Sequence, residues 1–213
     1  MCGRFDTSHL TWAEIYELLS HFGEVVTAPV NLQPDDDVRP TTAQLVARQE
    51  EGRWVLEKMR WGLLPFWRGG KPLKDTEKGK GDGFKLTTFN ARTETVASAA
   101  TFRGAFARRR CLIPASAWYE WTGPVGGKTR HRFARADGQA LWFAGIWDHC
   151  ETPDAGPITS FTILTTPSEG WLTQFHTRAP VIVEPADWAG WLDPSQDVGP
   201  LMAAVRPDRF LPA

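Results

Sequence analysis

A cysteine stands directly behind the initiator methionine in Met1-Cys2-Gly3-Arg4-Phe5. Removal of that methionine leaves an α-amine and a thiol on adjacent carbons of one residue, a pair that no internal cysteine can offer. The amine can attack an aldehyde to form an imine, and the thiol can then close on it as a five-membered thiazolidine. The reference pKa values are about 7.7–8.0 for the amine and about 8.5 for the thiol. A useful fraction of each is therefore nucleophilic near neutral pH, and a neighbouring base raises it. The plainer alternative is a small buried hydrophobe, the usual role of a free cysteine.

Three further clusters set polar groups in apolar, strand-like text. Glu120 lies within Trp118-Tyr119-Glu120-Trp121. On a strand it either faces solvent or enters a low-dielectric pocket, where desolvation raises its pKa and fits it for proton transfer. His176 is either a proton shuttle or a structural histidine. Asn90 with Arg92, and His176 with Arg178, have the two-residue spacing that places side chains on one face of a strand. Arginines there suit phosphate or carboxylate, unless they form surface ion pairs. Arg108-Arg109-Arg110 reads as a solvated helix end or a contact to backbone phosphate. No G-x-S-x-G, H-E-x-x-H, Walker or zinc-deaminase pattern occurs. The Gly79–Gly83 run lacks the hydroxyl residue of a phosphate loop.

These residues need elements to hold them. Thr11 and Glu14 form a capping box ahead of helical spacing at Trp12, Ile15, Leu19 and Phe22, predicting a helix from about Trp12 to His21 that Gly23 ends. Residues 3–5 can start a strand, and 27–43 read as an extended loop. Gln44–Ala47 and Trp54–Met59 read as strands around a Glu50-Glu51-Gly52 turn. Lys71–Gly83 reads as a mobile loop. A helix is expected within Val96–Ala107. Strands follow at Cys111–Ile113, Ala117–Trp121, His131–Ala134, Leu141–Ile146, Ile158–Thr165 and Val181–Val183. A helical turn is expected over Ser168–Leu172, and a helix starts at Pro185. Many antiparallel strands with a few short helices make the class α+β.

The 213 residues bear a formal net charge of −1, so bulk charge does not drive nucleic-acid binding and a local basic patch would be required. Eleven tryptophans against two tyrosines provide core rings and stacking surfaces. The three cysteines, Cys2, Cys111 and Cys150, have neither disulfide-framework nor metal spacing, which points to a reducing compartment and no cofactor. No apolar leader or run of roughly 18 apolar residues is present. A cytosolic location without membrane contact is expected.

Taken together the sequence resembles the SRAP family (SOS response-associated peptidase). The resemblance rests on Met1–Phe5; Asn31 with Pro34; Trp61-Gly62-Leu63-Leu64-Pro65 followed by Trp67; Asn90-Ala91-Arg92 with Glu94; Arg110–Ala115 running into Trp118–Trp121; Ala144–Trp147; and His176–Val181, all in family order. It implies one α+β domain over residues 1–213 with a β-barrel-like core, antiparallel in the reading above, and a monomer. It implies binding of single-stranded DNA and single-strand/duplex junctions within a DNA damage response, covalent capture of abasic sites, and an associated autoproteolytic activity. On this basis Cys2 is the nucleophile, Asn90 positions its amine or the opened sugar, Glu120 is the general acid/base, and His176 opens the sugar. Arg4, Arg92 and Arg178 hold flanking phosphates, and Trp67 stacks on a base. The location would be cytoplasmic, on the nucleoid when DNA is bound.

Departures from the family pattern are the Lys71–Gly83 insertion, Arg68 where a second aromatic can occur, Ala179 for a common methionine, and a chain ending at Ala213 where many members continue with another strand. Two competing readings are an N-terminal-nucleophile cysteine peptidase acting on other proteins and a single-strand-binding module without chemistry.

Overall fold

The computed structural model describes residues 2–74, 88–203, 205 and 207–212. Its centre is a closed barrel of five strands. β2 (Ala43–Glu50) and β3 (Arg53–Trp61) pair antiparallel from Ala43↔Arg60 to Glu50↔Arg53. Glu51 and Gly52 both take positive φ, 50° and 77°, the two-residue turn whose twist matches a hairpin. β5 (Arg110–Ala115) joins β2 at Ala47↔Leu112 and β8 (Leu141–Thr152) along its length. β8 turns back into β9 (Gly156–Pro167). β9 then meets β3 in parallel through Arg60↔Ser160 and Trp61↔Phe161, which closes the ring. The barrel-like core is thus present, with mixed rather than wholly antiparallel pairing.

Two short strands extend the far end of β9. β4 (Asn90–Arg92) lies parallel to it and β10 (Arg178–Pro180) antiparallel. A second sheet, in the order β1 (Phe5–Asp6), β6 (Ala117–Thr122), β7 (Thr129–Arg135) and β11 (Phe210–Pro212), packs beside the barrel. Alternation sends successive barrel residues into two cores. Leu112, Ala144 and Ile146 join Ile15, Leu19, Trp188 and Trp191. Cys111, Ile113 and Phe143 join Cys2, Phe5, Trp118 and Phe133. The second core lies between barrel and sheet and contains the N-terminal cysteine.

Helix α1 (Trp12–Ser20) carries the expected box. The Thr11 hydroxyl accepts the Glu14 N–H at 3.2 Å, and the Glu14 carboxylate accepts the Thr11 N–H at 3.2 Å. Its inner face buries Ile15 and Leu19. Thr11→Ala is expected to lower stability by about 1 kcal/mol, read as an earlier denaturant midpoint at unchanged slope; an unchanged midpoint would count against this cap.

Several expectations shift. Within Val96–Ala107 the chain makes turns, and helix α2 spans only Arg103–Arg108. Thr95 and Ser98 are weak formers that favour local backbone bonds, and the Ser98 hydroxyl donates to the Thr95 carbonyl. No strand forms at Val181–Val183: β10 ends at Pro180, and Ile182 makes only a bridge to Phe143. Helix α3 (Trp188–Leu192) follows a 3-10 turn begun by Pro185. The chain also forms a short strand near its end, with Phe210 opposite Arg135. Residues 75–83 of the expected mobile loop lie outside the described residues. Among the described residues no helix is long and apolar enough to cross a membrane, and no group of three or more His, Cys, Asp or Glu could hold a metal ion.

Candidate functional site

The N-terminal segment runs antiparallel to β6, with Phe5 opposite Trp118 and the Arg4 carbonyl accepting the Tyr119 N–H at 3.0 Å. Continuing that register backwards brings Cys2 alongside Glu120 and Trp121. Cys2 is fully buried. Burial pushes its thiol pKa up, and the negative charge of Glu120 adds to the rise. The resting thiol is therefore protonated, and something must accept its proton before it can act.

Glu120 is that neighbour. It shares a strand face with Trp118, whose ring stacks on Phe133 in the inner core at 5.0 Å. Of the two positions open to it, the pocket is the one it occupies: it is 4% exposed. Burial raises its pKa from 4.5 to about 7. Ala117 through Glu120 are all buried, so both faces of this strand are covered and alternation carries no information here.

Asn90 sits on β4 opposite Ile163, a member of the same core as Cys2. The Trp61 indole N–H donates to the Phe89 carbonyl at 2.7 Å and fixes the start of the strand. Asn90 is 9% exposed, and neither its amide nitrogen nor its carbonyl oxygen has a hydrogen-bond partner among the described residues. A buried primary amide left open is costly and is the condition of a group waiting for a ligand.

His176 lies in the turn ahead of β10, not on the strand, so it does not share a strand face with Arg178 as expected. Its Nδ1 lies within hydrogen-bond distance of both the Arg178 N–H, at 2.9 Å, and the Arg178 carbonyl, at 3.1 Å. Burial lowers its pKa, which keeps it neutral at physiological pH. The adjoining Phe175 ring packs on His131 at 4.7 Å and on Phe133 at 5.2 Å. His131 is the cross-strand partner of Glu120. Glu120 thus lies against Cys2, and Phe175 and His131 link the His176 segment to the Glu120 strand.

The expected phosphate and base contacts differ in state. Arg92 is exposed and makes no ion pair among the described residues. Arg4 pairs with Asp37 and lies 6.0 Å from the Trp121 ring. Arg178 is 8% exposed, and its guanidinium is held by Glu94 and Thr165; it is a buried guanidinium paired with an exposed carboxylate rather than an open cation. Trp67 lies on a 3-10 turn, 45% exposed, its indole N–H donating to the Ala100 carbonyl at 3.3 Å. Arg68 is buried, but Phe66 on the other side is 62% exposed, so two rings face outward. Sequence reading missed Phe66, although an aromatic beside Trp67 was the available signal.

Residues 1–209 match the sequence profile of the SOS response associated peptidase (SRAP) family. The chain belongs to the SRAP family. It is 29% identical over 197 residues to the abasic site processing protein YoqW of Bacillus subtilis, covering 91% of this chain and 81% of that one. It is 26% identical over 198 residues to the abasic site processing protein YedK of Escherichia coli, covering 90% and 79%. A crystal structure of a protein from Bacteroides thetaiotaomicron shares the SRAP fold of this chain with a TM-score of 0.81 at 21% identity, covering 99% of this chain and 90% of that one.

Proposed function

We propose that this SRAP protein binds single-stranded DNA, including at single-strand/duplex junctions, and captures abasic sites covalently through Cys2, shielding the lesion from strand breakage. The observation that carries this reading is the placement of a buried carboxyl with a pKa of about 7 beside a buried N-terminal cysteine. That pairing has little use in a plain binding module, where neither group would need to move a proton.

Loss of Met1 frees the Cys2 amine; since cysteine is small, ordinary methionine removal suffices, and the family's autoproteolytic activity would serve where more residues precede. The ring-opened sugar presents an aldehyde. His176 relays the proton of the anomeric hydroxyl to the ring oxygen as the C1–O bond breaks and the sugar opens. The Cys2 amine adds to the carbonyl carbon, and Glu120 carries both amine protons in turn from nitrogen to the departing oxygen, which leaves as water. The thiol then adds across the C=N bond: its proton passes through Glu120 to nitrogen, and the C–S bond closes the thiazolidine. One water is lost and no electrons are exchanged. The open amide of Asn90 satisfies itself on the sugar hydroxyl or the amine and fixes the attack geometry. Arg92 and Arg4 engage flanking phosphates, which position the strand without reading sequence.

Incubating the Met1-processed protein with an abasic single strand should yield a heat-stable shifted band on a denaturing gel, absent with an intact strand. A protein confirmed to lack Met1 that yields no band would overturn the reading. Phe66 and Trp67 form the stacking surface, so Trp67→Ala is expected to weaken single-strand binding by about 1–3 kcal/mol. Fluorescence anisotropy checks this, and an unchanged affinity removes Trp67 from the interface.

A further inference from the structure

Two of the shortest strands carry the site. β4 and β10 have three residues each, and both meet β9 at one level. Arg92 pairs with Thr165 on one edge, and Pro180 pairs with Thr165 on the other. So few ladder bonds set neither strand firmly. A side-chain link crosses β9 between them. From β10, the Arg178 Nε donates to Thr165 Oγ1 at 3.1 Å, and Nη2 donates to the Thr165 carbonyl. Nη1 and Nη2 reach past β9 to Glu94 Oε1 and Oε2 at 2.7 and 2.8 Å. Glu94 stands two residues beyond β4, where the Thr93 N–H donates to the Thr165 carbonyl at 3.0 Å. At the other end the Arg178 N–H holds His176 Nδ1. An unbroken chain of contacts therefore joins the His176 ring to the strand that presents Asn90.

We propose that Glu94 and Arg178, through Thr165, form a clasp that fixes Asn90 and His176 relative to each other, which makes both positioning residues for abasic-site capture. This rests on the function proposed above. Four of the five guanidinium N–H donors are already used, so Arg178 is placed to hold protein rather than DNA. The two-point contact with Glu94 fixes orientation as well as distance. Without Glu94 the buried guanidinium loses half its partners, and the short strands lose their cross-link.

The test is the crosslinking rate at saturating abasic strand, measured beside the affinity for an intact strand at two salt concentrations. For Glu94→Ala and Glu94→Gln we expect the saturated rate to fall by about tenfold or more, with affinity and salt dependence within about twofold of wild type. The exchange Glu94→Arg with Arg178→Glu should recover most of the rate, which a general loss of stability would not allow. Glu94→Gln keeps the shape of the side chain and carries the test if Glu94→Ala does not fold. An unchanged saturated rate overturns the clasp. So does a change confined to affinity and salt slope, which would make Arg178 a phosphate contact that Glu94 masks. A wild type that forms no adduct overturns the proposed function itself, and that control is read in the same experiment.

Discussion

Replacing Cys2 with alanine is expected to abolish the stable adduct while leaving binding to an abasic strand within about twofold of wild type. Alanine is as readily exposed by methionine removal as cysteine, so an α-amine remains at the same place. That amine can still form an imine, which water reverses. Only the thiol can trap it, because the second C–S bond closes the five-membered ring. Reductive trapping should therefore recover a linkage in Cys2→Ala, whereas boiling without a reductant should leave none. The cost of the substitution is the whole crosslink rather than a fraction of its rate. A heat-stable, unreduced adduct in Cys2→Ala would remove the thiol from the chemistry. A variant that neither crosslinks nor binds would show that Cys2, fully buried in the core between barrel and sheet, acts through packing instead.

Glu120→Gln is expected to slow capture by about 10²-fold or more, the range in which a positioned acid or base contributes. Three protons must move, two from nitrogen to oxygen and one from sulfur to nitrogen, and glutamine moves none of them. The pH profile separates this from a packing effect. With a pKa of about 7, Glu120 passes between its acid and base forms across the neutral range, so the wild-type rate should bend near pH 7. The bend should vanish in the variant. Stability should change in the opposite sense to activity. A carboxyl whose pKa rises on folding stabilises the protein below its unfolded value of 4.5, and that contribution is lost as pH rises through about 7. Glu120→Gln should thus melt at a higher temperature than wild type at pH 8, with a smaller gain at pH 5. An unaltered pH profile in the variant would assign the proton transfers to another group.

The parts of this molecule that are legible in its sequence are those encoded locally. The box at Thr11 and Glu14 and the turn at Glu51 and Gly52 are short-range signals, and both occur as read. The family motifs lie on contiguous stretches and are equally readable. What the sequence hides is long-range. The parallel closure of β3 on β9 joins Trp61 to Phe161, and no local pattern announces it. Glu94 and Arg178 are 84 residues apart; each alone reads as a surface charge, and only the fold shows that they pair with each other. Glu120 is hidden for a different reason. Its strand is covered on both faces, so the alternation that separates core from solvent elsewhere is missing over Ala117–Glu120. His176 misleads by its spacing, since a turn rather than a strand links it to Arg178.

The most direct test of the central claim is the intact mass of the protein–DNA adduct formed on an abasic single strand without any reductant. Capture by the Cys2 amine and thiol predicts the mass of the protein lacking Met1, plus the oligonucleotide, minus one water, with the linkage mapped to Cys2. An adduct on protein that still carries Met1, or one mapped to a lysine and seen only after reduction, would contradict the account.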